Sequence, residues 1–191
     1  MPHANCRNTP VEIFETRWPW IHERYILNDD TAGPGAHRGG LGIERIMEVA
    51  GDVITVSALA DRARRAPWGF GGGGDGSTTR IELQRPGEPG FRSFQEHYGL
   101  VSPSKFTNVR LHRGDRVRLV SPSGGGYCDP LERTPAEVAA DVGERFVSRA
   151  SAKRLYGVVI AEDGSVDEKA TARLRSAPLG RGRRSESGGH R

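Results

Sequence analysis

The sequence predicts an α+β fold that is β-rich, built from antiparallel strands and hairpins with glycine-rich loops. Glycine and proline contribute 26 and 12 of the 191 residues, a composition that requires many turns and suits short strands better than a helical bundle. Several segments of alternating apolar and polar residues lie before residue 134, and sequence signals for helix starts lie from residue 134 onward. We therefore expect a β-rich domain over 1–133, a helical C-terminal region of the same domain over 134–176, and a disordered basic tail over 177–191.

The first elements are a short helix and a strand. Thr9 and Pro10 have the residue types of a helix cap and a first helical turn, and VEIFETR follows them. The Trp18-Pro19 step ends this helix, because the residue before a proline is pushed away from helical geometry. Residues 20–27, WIHERYIL, are rich in β-branched and aromatic side chains and predict the first strand.

Two pairs of later strands have turn sequences between them. Residues 43–49 alternate apolar and polar side chains, so we expect one buried face, and a glycine-aspartate turn leads to a second alternating strand over 53–59. We predict that these two strands form a hairpin. A short strand over 79–84 follows, and the sequence HRGD between 105–111 and 116–120 predicts a second hairpin.

Helices dominate the C-terminal region. The sequence TPAE places Thr134 and Glu137 at the spacing of a capping box. We expect helices over 136–146, 148–156 and 166–175, with a short strand before the last of them. The tail beyond them has almost no apolar side chains, so burial cannot offset the entropy lost on ordering it.

The charge distribution argues against a nucleic-acid partner. The formal net charge is +4, but six arginines and a single acid lie in residues 173–191, which leaves the rest of the chain at −1. The six arginines are Arg173, Arg175, Arg181, Arg183, Arg184 and Arg191. The body therefore has no electrostatic reason to bind a phosphate backbone.

The sequence also has no membrane-spanning segment. No apolar run approaches the ~18 residues of a membrane span, and we expect a cytoplasmic protein with no membrane partner.

The residues alone do not define a catalytic centre. The loop at 33–42 lacks the G-x-G-x-x-G spacing, and no Walker A sequence occurs in the chain. This loop is either a tight turn with buried backbone or a segment whose amides, together with His37 and Arg38, line a neighbouring active site. The histidines have no metal-ligand spacing, and Cys128 is either a nucleophile or, as we favour, a small residue in a turn. These features indicate a β-rich module with no cofactor or metal of its own.

Several long motifs occur in a fixed order. They are NTPVE, GPGAHRGGLGIER, ADRARRAPWGFGGG, SKFTNVRLHRGDRVRLVSPSGGGYCDPLER, RLYGVVI and ATARLR. In this order they resemble the C-terminal region of the hydantoinase B/5-oxoprolinase family, over about residues 5–175. The most specific of them are NTPVE, RGGLGIER and SPSGGGYCDP.

The resemblance implies a B-type subunit of an ATP-dependent cyclic-amide hydrolase of the hydantoinase, N-methylhydantoinase or 5-oxoprolinase type. Its partners would be an A-type subunit, which holds ATP and Mg, and the N-terminal portion of the B-type subunit, which holds a possible divalent metal. We expect a hetero-oligomer that is inactive without these parts. The alternatives are part of an ATP-dependent acetone or acetophenone carboxylase, and a non-catalytic structural or interaction module.

The resemblance also suggests which residues line a substrate site. The family's metal-ligand positions belong to the N-terminal portion, so no ligands are transferred to this chain. Arg7, Asn8 and Thr9 would lie near the junction with that portion, which makes them candidates for lining a substrate site. His37 and Arg38, in the glycine-rich loop, are the other two candidates.

Overall fold

The computed structural model describes residues 8–176 and contains short helices and antiparallel strands. In chain order they are α1 (Val11–Arg17), β1 (Trp20–Leu27), β2 (Ile43–Val49), β3 (Val53–Leu59), β4 (Arg80–Gln84), β5 (Arg92–Ser93), α2 (Phe94–Tyr98), β6 (Lys105–His112), β7 (Arg116–Val120), a 3₁₀ turn (Pro130–Glu132), α3 (Pro135–Gly143), α4 (Arg149–Tyr156) and α5 (Glu168–Ser176). The predicted α+β class with antiparallel strands is confirmed. The predicted disordered tail lies outside the described residues.

The strands form two sheets. One sheet has the order β1-β2-β7-β4-β5, and the other consists of β3 and β6. Strand β2 is an interior strand, because β1 and β7 pair with its two edges. Buried residues lie on both of its faces, with Ile46 on one and Val49 on the other, and not only on one face as the alternating pattern predicted.

Both predicted hairpins are wrong. β2 does not pair with β3, and β6 does not pair with β7. Instead, the pairing of β2 with β7 continues as the pairing of β3 with β6, with Glu48 opposite Arg116 before the bend and Val53 opposite His112 after it. The two turns lie side by side and carry this two-stranded ribbon from one sheet to the other.

Backbone hydrogen bonds hold the two turns together. The Gly114 amide donates to the Val49 carbonyl at 2.9 Å, and the Val49 amide donates to the Asp115 carbonyl at 2.9 Å. A turn sequence shows where a chain changes direction but does not select the strand edge with which the next segment pairs. That choice follows from burial, since Val49, Leu111 and Val117 all lie in one core between the sheets.

That core is closed by α2, which was not predicted from the sequence. Phe94 is almost fully buried, and its ring stacks on Phe106 with 4.6 Å between centroids. Ser93 caps the helix, and its side chain and that of Glu96 form a reciprocal capping box. The spacing of these two residues was the signal in the sequence. The other buried members of the core are Val49, Ile81, Leu83, Val109, Leu111 and Val117.

The helical region has a second apolar cluster. The predicted capping box of Thr134 and Glu137 is confirmed at the start of α3. Ser148 caps α4, and Gly157 ends it with a φ of 62°. The strand expected before α5 is reduced to a single bridge between Ile160 and Val166. The buried residues of this cluster are Val138, Val147, Ala152, Tyr156, Val158 and Ile160.

Helix α1 differs from the other α-helices of residues 8–176 because none of its residues is buried. Its cap is Pro10, with no side-chain cap hydrogen bond, so the predicted cap at Thr9 is wrong. The Pro10 carbonyl accepts the Phe14 amide at 3.0 Å, which places the helix start one residue later than expected. Within residues 8–176, none of the helices has the length and hydrophobicity needed to cross a membrane.

Candidate functional site

Three glycine-rich segments pack against each other to form a glycine cluster, which comprises residues 33–42, 69–76 and 124–128. Backbone hydrogen bonds join them directly. The Gly74 amide donates to the Pro34 carbonyl at 2.7 Å, and the Gly126 amide donates to the Gly74 carbonyl at 2.9 Å. His37 and Tyr127 exchange two such bonds, at 3.0 and 2.9 Å. Segments that are far apart in the sequence are therefore held as one unit.

The glycines are required because backbone approaches backbone here. A Cβ added to Gly126 would lie 2.0 Å from the Pro34 carbonyl oxygen, and one added to Gly39 would lie 2.1 Å from the Gly124 carbonyl oxygen. Both distances are shorter than any normal contact. The tight-loop alternative for residues 33–42 thus matches the observed backbone, whose Gly33, His37 and Gly39 amides donate to carbonyls within the chain.

Arg38 links the glycine cluster to α3. Its guanidinium donates to both carboxylate oxygens of Asp141 at 3.2 Å, and Arg133 donates to the same carboxylate at 3.2 Å. Only 17% of the Arg38 side chain and 9% of the Asp141 side chain are exposed. The Arg38 guanidinium also lies over the Phe146 ring, 5.2 Å from its centroid. This group of charges joins the cluster to the helical region.

His37 belongs to a row of aromatic rings on the glycine cluster. Its ring stacks on Tyr127, and the Tyr127 ring stacks on Phe70, each with 5.9 Å between centroids. A hydrogen bond with Cys128 raises the pKa of the Tyr127 hydroxyl. Cys128 has a φ of 61°, and its amide donates to the Phe70 carbonyl at 2.9 Å. Its backbone conformation fits the interpretation of a small residue in a turn.

Asn8 and Thr9 lie at a different place, beside β1. The Asn8 side-chain amide donates to the Tyr25 hydroxyl at 2.7 Å. The guanidinium of Arg45 lies over the Tyr25 ring, 4.5 Å from its centroid. Asn8, Tyr25 and Arg45 are shared by two depressions of about 630 and about 620 Å³, and Thr9 lines the smaller one.

The larger depression, which we call the Arg45 groove, runs between the two sheets. Its volume is in the range of small-molecule sites. The residues that line it are Asn8, Tyr25, Ile43, Arg45, Ser57, Ala58, Leu59, Ala60, Asp61, Arg62, Thr79, Arg80, Ile81, Leu119, Val120, Ser121 and Pro122.

The five candidate site residues therefore do not form one group. Asn8 and Thr9 lie beside Tyr25 and Arg45, whereas His37 and Arg38 belong to the glycine cluster and line neither depression. Arg7 lies outside the described residues. Within residues 8–176, no three His, Cys, Asp or Glu side chains lie close enough to hold a metal ion.

Tyr25 and Arg45 were not among the site residues predicted from the sequence. Strand alternation puts Ile43, Arg45, Met47 and Val49 on one face of β2. A single arginine in an otherwise apolar stripe was thus visible in the sequence. The facing Tyr25 was not, since the register between β1 and β2 had first to be known.

The fold and these surfaces define a β-rich α+β module with a rigid glycine cluster and an open groove between its sheets. The hydantoinase B/oxoprolinase family model matches residues 1–130, and the chain belongs to this family. It is 36% identical over 173 residues to the B-type subunit of a putative D-/L-hydantoinase from a Pseudomonas species. That match includes 91% of this chain but 28% of the relative, so the chain spans little more than a quarter of the relative's length.

Two solved structures have a similar fold. An ATP-dependent caprolactamase from Pseudomonas jessenii superposes with a TM-score of 0.72 at 30% identity, over 88% of this chain and 28% of that one. A nucleotide-free acetone carboxylase gives a TM-score of 0.68 at 24% identity, over 87% of this chain and 26% of that one. At this lower identity, the second likeness shows the fold alone.

Proposed function

We propose that the chain is the C-terminal part of a B-type subunit of an ATP-dependent cyclic-amide hydrolase. The observation that carries the proposal is the 36% identity, over 91% of the chain, to the B-type subunit of a putative hydantoinase. The 28% share of that relative supports a part that acts with other polypeptide. These would be the remaining portion of the B-type subunit and an ATP-binding A-type subunit, in a cytoplasmic hetero-oligomer.

The names of the relatives favour hydrolysis over carboxylation. Hydantoins and caprolactam are both cyclic amides, and proteins named for acting on them are at least 30% identical to this chain. The acetone carboxylase is only 24% identical. Cyclic-amide hydrolysis is therefore the first candidate for the assembly, and ketone carboxylation is the second.

The chain's own contribution is structural and site-lining. ATP and Mg belong to the A-type subunit in this proposal, and any divalent metal belongs to the remaining portion of the B-type subunit. Asn8 and Thr9 suit a site-lining role because they border open depressions. Arg38 instead positions the glycine cluster through Asp141, and His37 and Arg7 remain candidates for lining the site.

Reconstitution tests this function. The chain, the remaining portion of a hydantoinase B-type subunit and an A-type subunit are purified separately and combined. Opening of hydantoin, caprolactam and 5-oxoproline is then followed with and without ATP. We expect ATP-dependent ring opening only when all three polypeptides are present.

Two other outcomes would contradict the proposal. Carboxylation of acetone with bicarbonate and ATP, without ring opening, would support the carboxylase candidate. Equal turnover with and without the chain would mean that it is a structural or interaction module with no part in the reaction.

A further inference from the structure

Arg45 occupies an unusual position for an arginine. It lies in the middle of β2, and both neighbouring strands fix its backbone. The register places Tyr25, Arg45, Leu119 and Ile81 in one row across four strands. All four line the Arg45 groove. The guanidinium is therefore held by a rigid sheet and not by a mobile loop.

The charge of Arg45 has no carboxylate partner within residues 8–176. The arginines on the opposite face of the sheet differ in this respect. Arg24 pairs with Glu44 at 3.3 Å, and Arg118 pairs with Glu82 at 2.6 Å. Arg45 is half-buried and contacts the Tyr25 ring instead. A partly desolvated guanidinium without an anion is costly, and binding an anion would relieve that cost.

The surroundings of Arg45 indicate what else the ligand carries. On the same face of the sheet as the guanidinium, the groove is lined by the apolar side chains of Ile43, Ile81 and Leu119. The carboxylate among its lining residues, Asp61, pairs with Lys105 at 2.8 Å. A cationic end and an apolar floor are complementary to a molecule with a carboxylate at one end and a hydrocarbon body. An inorganic phosphate would satisfy the charge but leave the floor uncovered.

We propose that the Arg45 groove binds small carboxylates with an apolar body. The carboxylate accepts hydrogen bonds from the Arg45 guanidinium, which Tyr25 orients from below. The hydrocarbon part lies on Ile43, Ile81 and Leu119, and Asn8 closes one end through its bond to the Tyr25 hydroxyl. The site shares Asn8 with the depression that the proposed function names, but carboxylate binding requires neither ATP nor another polypeptide and goes beyond ring opening.

Calorimetric titration of the full chain tests the site with three probes. Hexanoate has both features of the expected ligand, hexanamide has the same body without the charge, and inorganic phosphate has the charge without the body. We expect saturable binding of hexanoate, binding of hexanamide that is weaker by about tenfold or more, and no saturable binding of phosphate.

Matched variants locate the binding. Arg45→Gln should weaken hexanoate binding by about tenfold or more and leave hexanamide binding unchanged. Arg110→Gln is the control, because Arg110 is exposed on β6 and does not line the groove. It should bind hexanoate like the parent chain. Circular dichroism of each variant verifies that it is folded.

Arg45→Lys provides a second test if the glutamine variant does not fold. Lysine keeps the charge but loses the planar fork, so we expect hexanoate binding to fall several-fold while hexanamide binding is unchanged. The proposal is overturned if hexanoate binds no better than hexanamide, if phosphate binds as tightly as hexanoate, or if neither variant at position 45 differs from Arg110→Gln. Reconstituted ring opening is a separate measurement, so either idea can fail without the other.

Discussion

Gly39 and Gly40 are neighbours in one loop but meet very different surroundings. A Cβ on Gly39 would lie 2.1 Å from the Gly124 carbonyl oxygen, whereas one on Gly40 would meet nothing within 4 Å. Neither glycine has a positive φ. The two positions therefore differ in the space available for a side chain, and not in a backbone conformation that only glycine adopts.

This contrast gives the first prediction. Gly39→Ala should lower the free energy of unfolding by about 2 kcal/mol or more, because the clash is with backbone that cannot rotate away. Gly40→Ala should be neutral or stabilising by up to about 1 kcal/mol, because alanine reduces the entropy of the unfolded chain. Urea unfolding of the two variants measures both values, and equal losses would contradict the close packing of the glycine cluster.

The charge group around Asp141 gives the second prediction. Asp141→Asn leaves two largely buried arginines, Arg38 and Arg133, without their carboxylate. We expect the free energy of unfolding to fall by about 3 kcal/mol or more. The control is Asp52→Asn at the exposed pair with Arg113, where a change below about 1 kcal/mol is expected. Similar losses at both positions in urea unfolding would disprove the structural role of this group.

At the scale of elements, local signals located the helices and strands but not their pairing. The capping box at Thr134 and the strands on either side of Gly51 were predictable, because a helix start and an alternating strand are properties of neighbouring residues. The partners of those strands depend on contacts between distant segments. The same turn sequence is compatible with a hairpin or with a bend between two sheets, and the buried side chains of Val49 and Leu111 decide for the bend.

The capping box of α3 gives the third prediction. Thr134→Ala removes the side-chain acceptor for the Glu137 amide, so the free energy of unfolding should fall by about 1 kcal/mol near neutral pH. Hydrogen bonds from the Thr134 side chain and backbone lower the pKa of the Glu137 carboxyl from its ordinary 4.5. Because the pKa is lowered in the folded state, the ionised carboxylate adds to the free energy of unfolding. This contribution is complete above the unfolded-state pKa and is lost as the pH falls through the folded-state pKa.

The lowered pKa of Glu137 also determines how the effect of Thr134→Ala changes with pH. The difference in unfolding free energy between Thr134→Ala and the parent chain should shrink as the pH is lowered from about 7 to about 3. Urea unfolding at both pH values checks it. A difference that stays constant on acidification would mean that the Thr134–Glu137 interaction does not depend on the ionised carboxyl, and one that grows would contradict the lowered pKa.

At the scale of the whole molecule, only part of the candidate site could be predicted from the sequence. The motif NTPVE located Asn8 and Thr9, which do border open depressions. Arg45 was recognisable only as an arginine in an apolar stripe, and its groove exists only once β3 lies beside the five-stranded sheet. A depression between two sheets has no counterpart in any single stretch of sequence.

The exposed surface of α1 and β1 gives the last prediction. Helix α1 has seven residues and none of them is buried, and about half of Leu27 on β1 is exposed. Isolated helices of fewer than ~12 residues are marginal in water. Backbone amides of α1 in the chain alone should therefore exchange with deuterium much faster than those of α4, which includes the buried Ala152 and Tyr156.

Protection of α1 should depend on additional polypeptide. The chain spans 28% of its hydantoinase relative, so we expect that adding the remaining portion of a B-type subunit slows exchange in α1 and β1. Exchange in α4 should not change, which makes that helix the internal control in the same mass-spectrometric experiment. If the α1 amides of the chain alone are already as protected as those of α4, the apolar side chains of α1 do not need a covering surface, and α1 is stabilised by its contacts with β1.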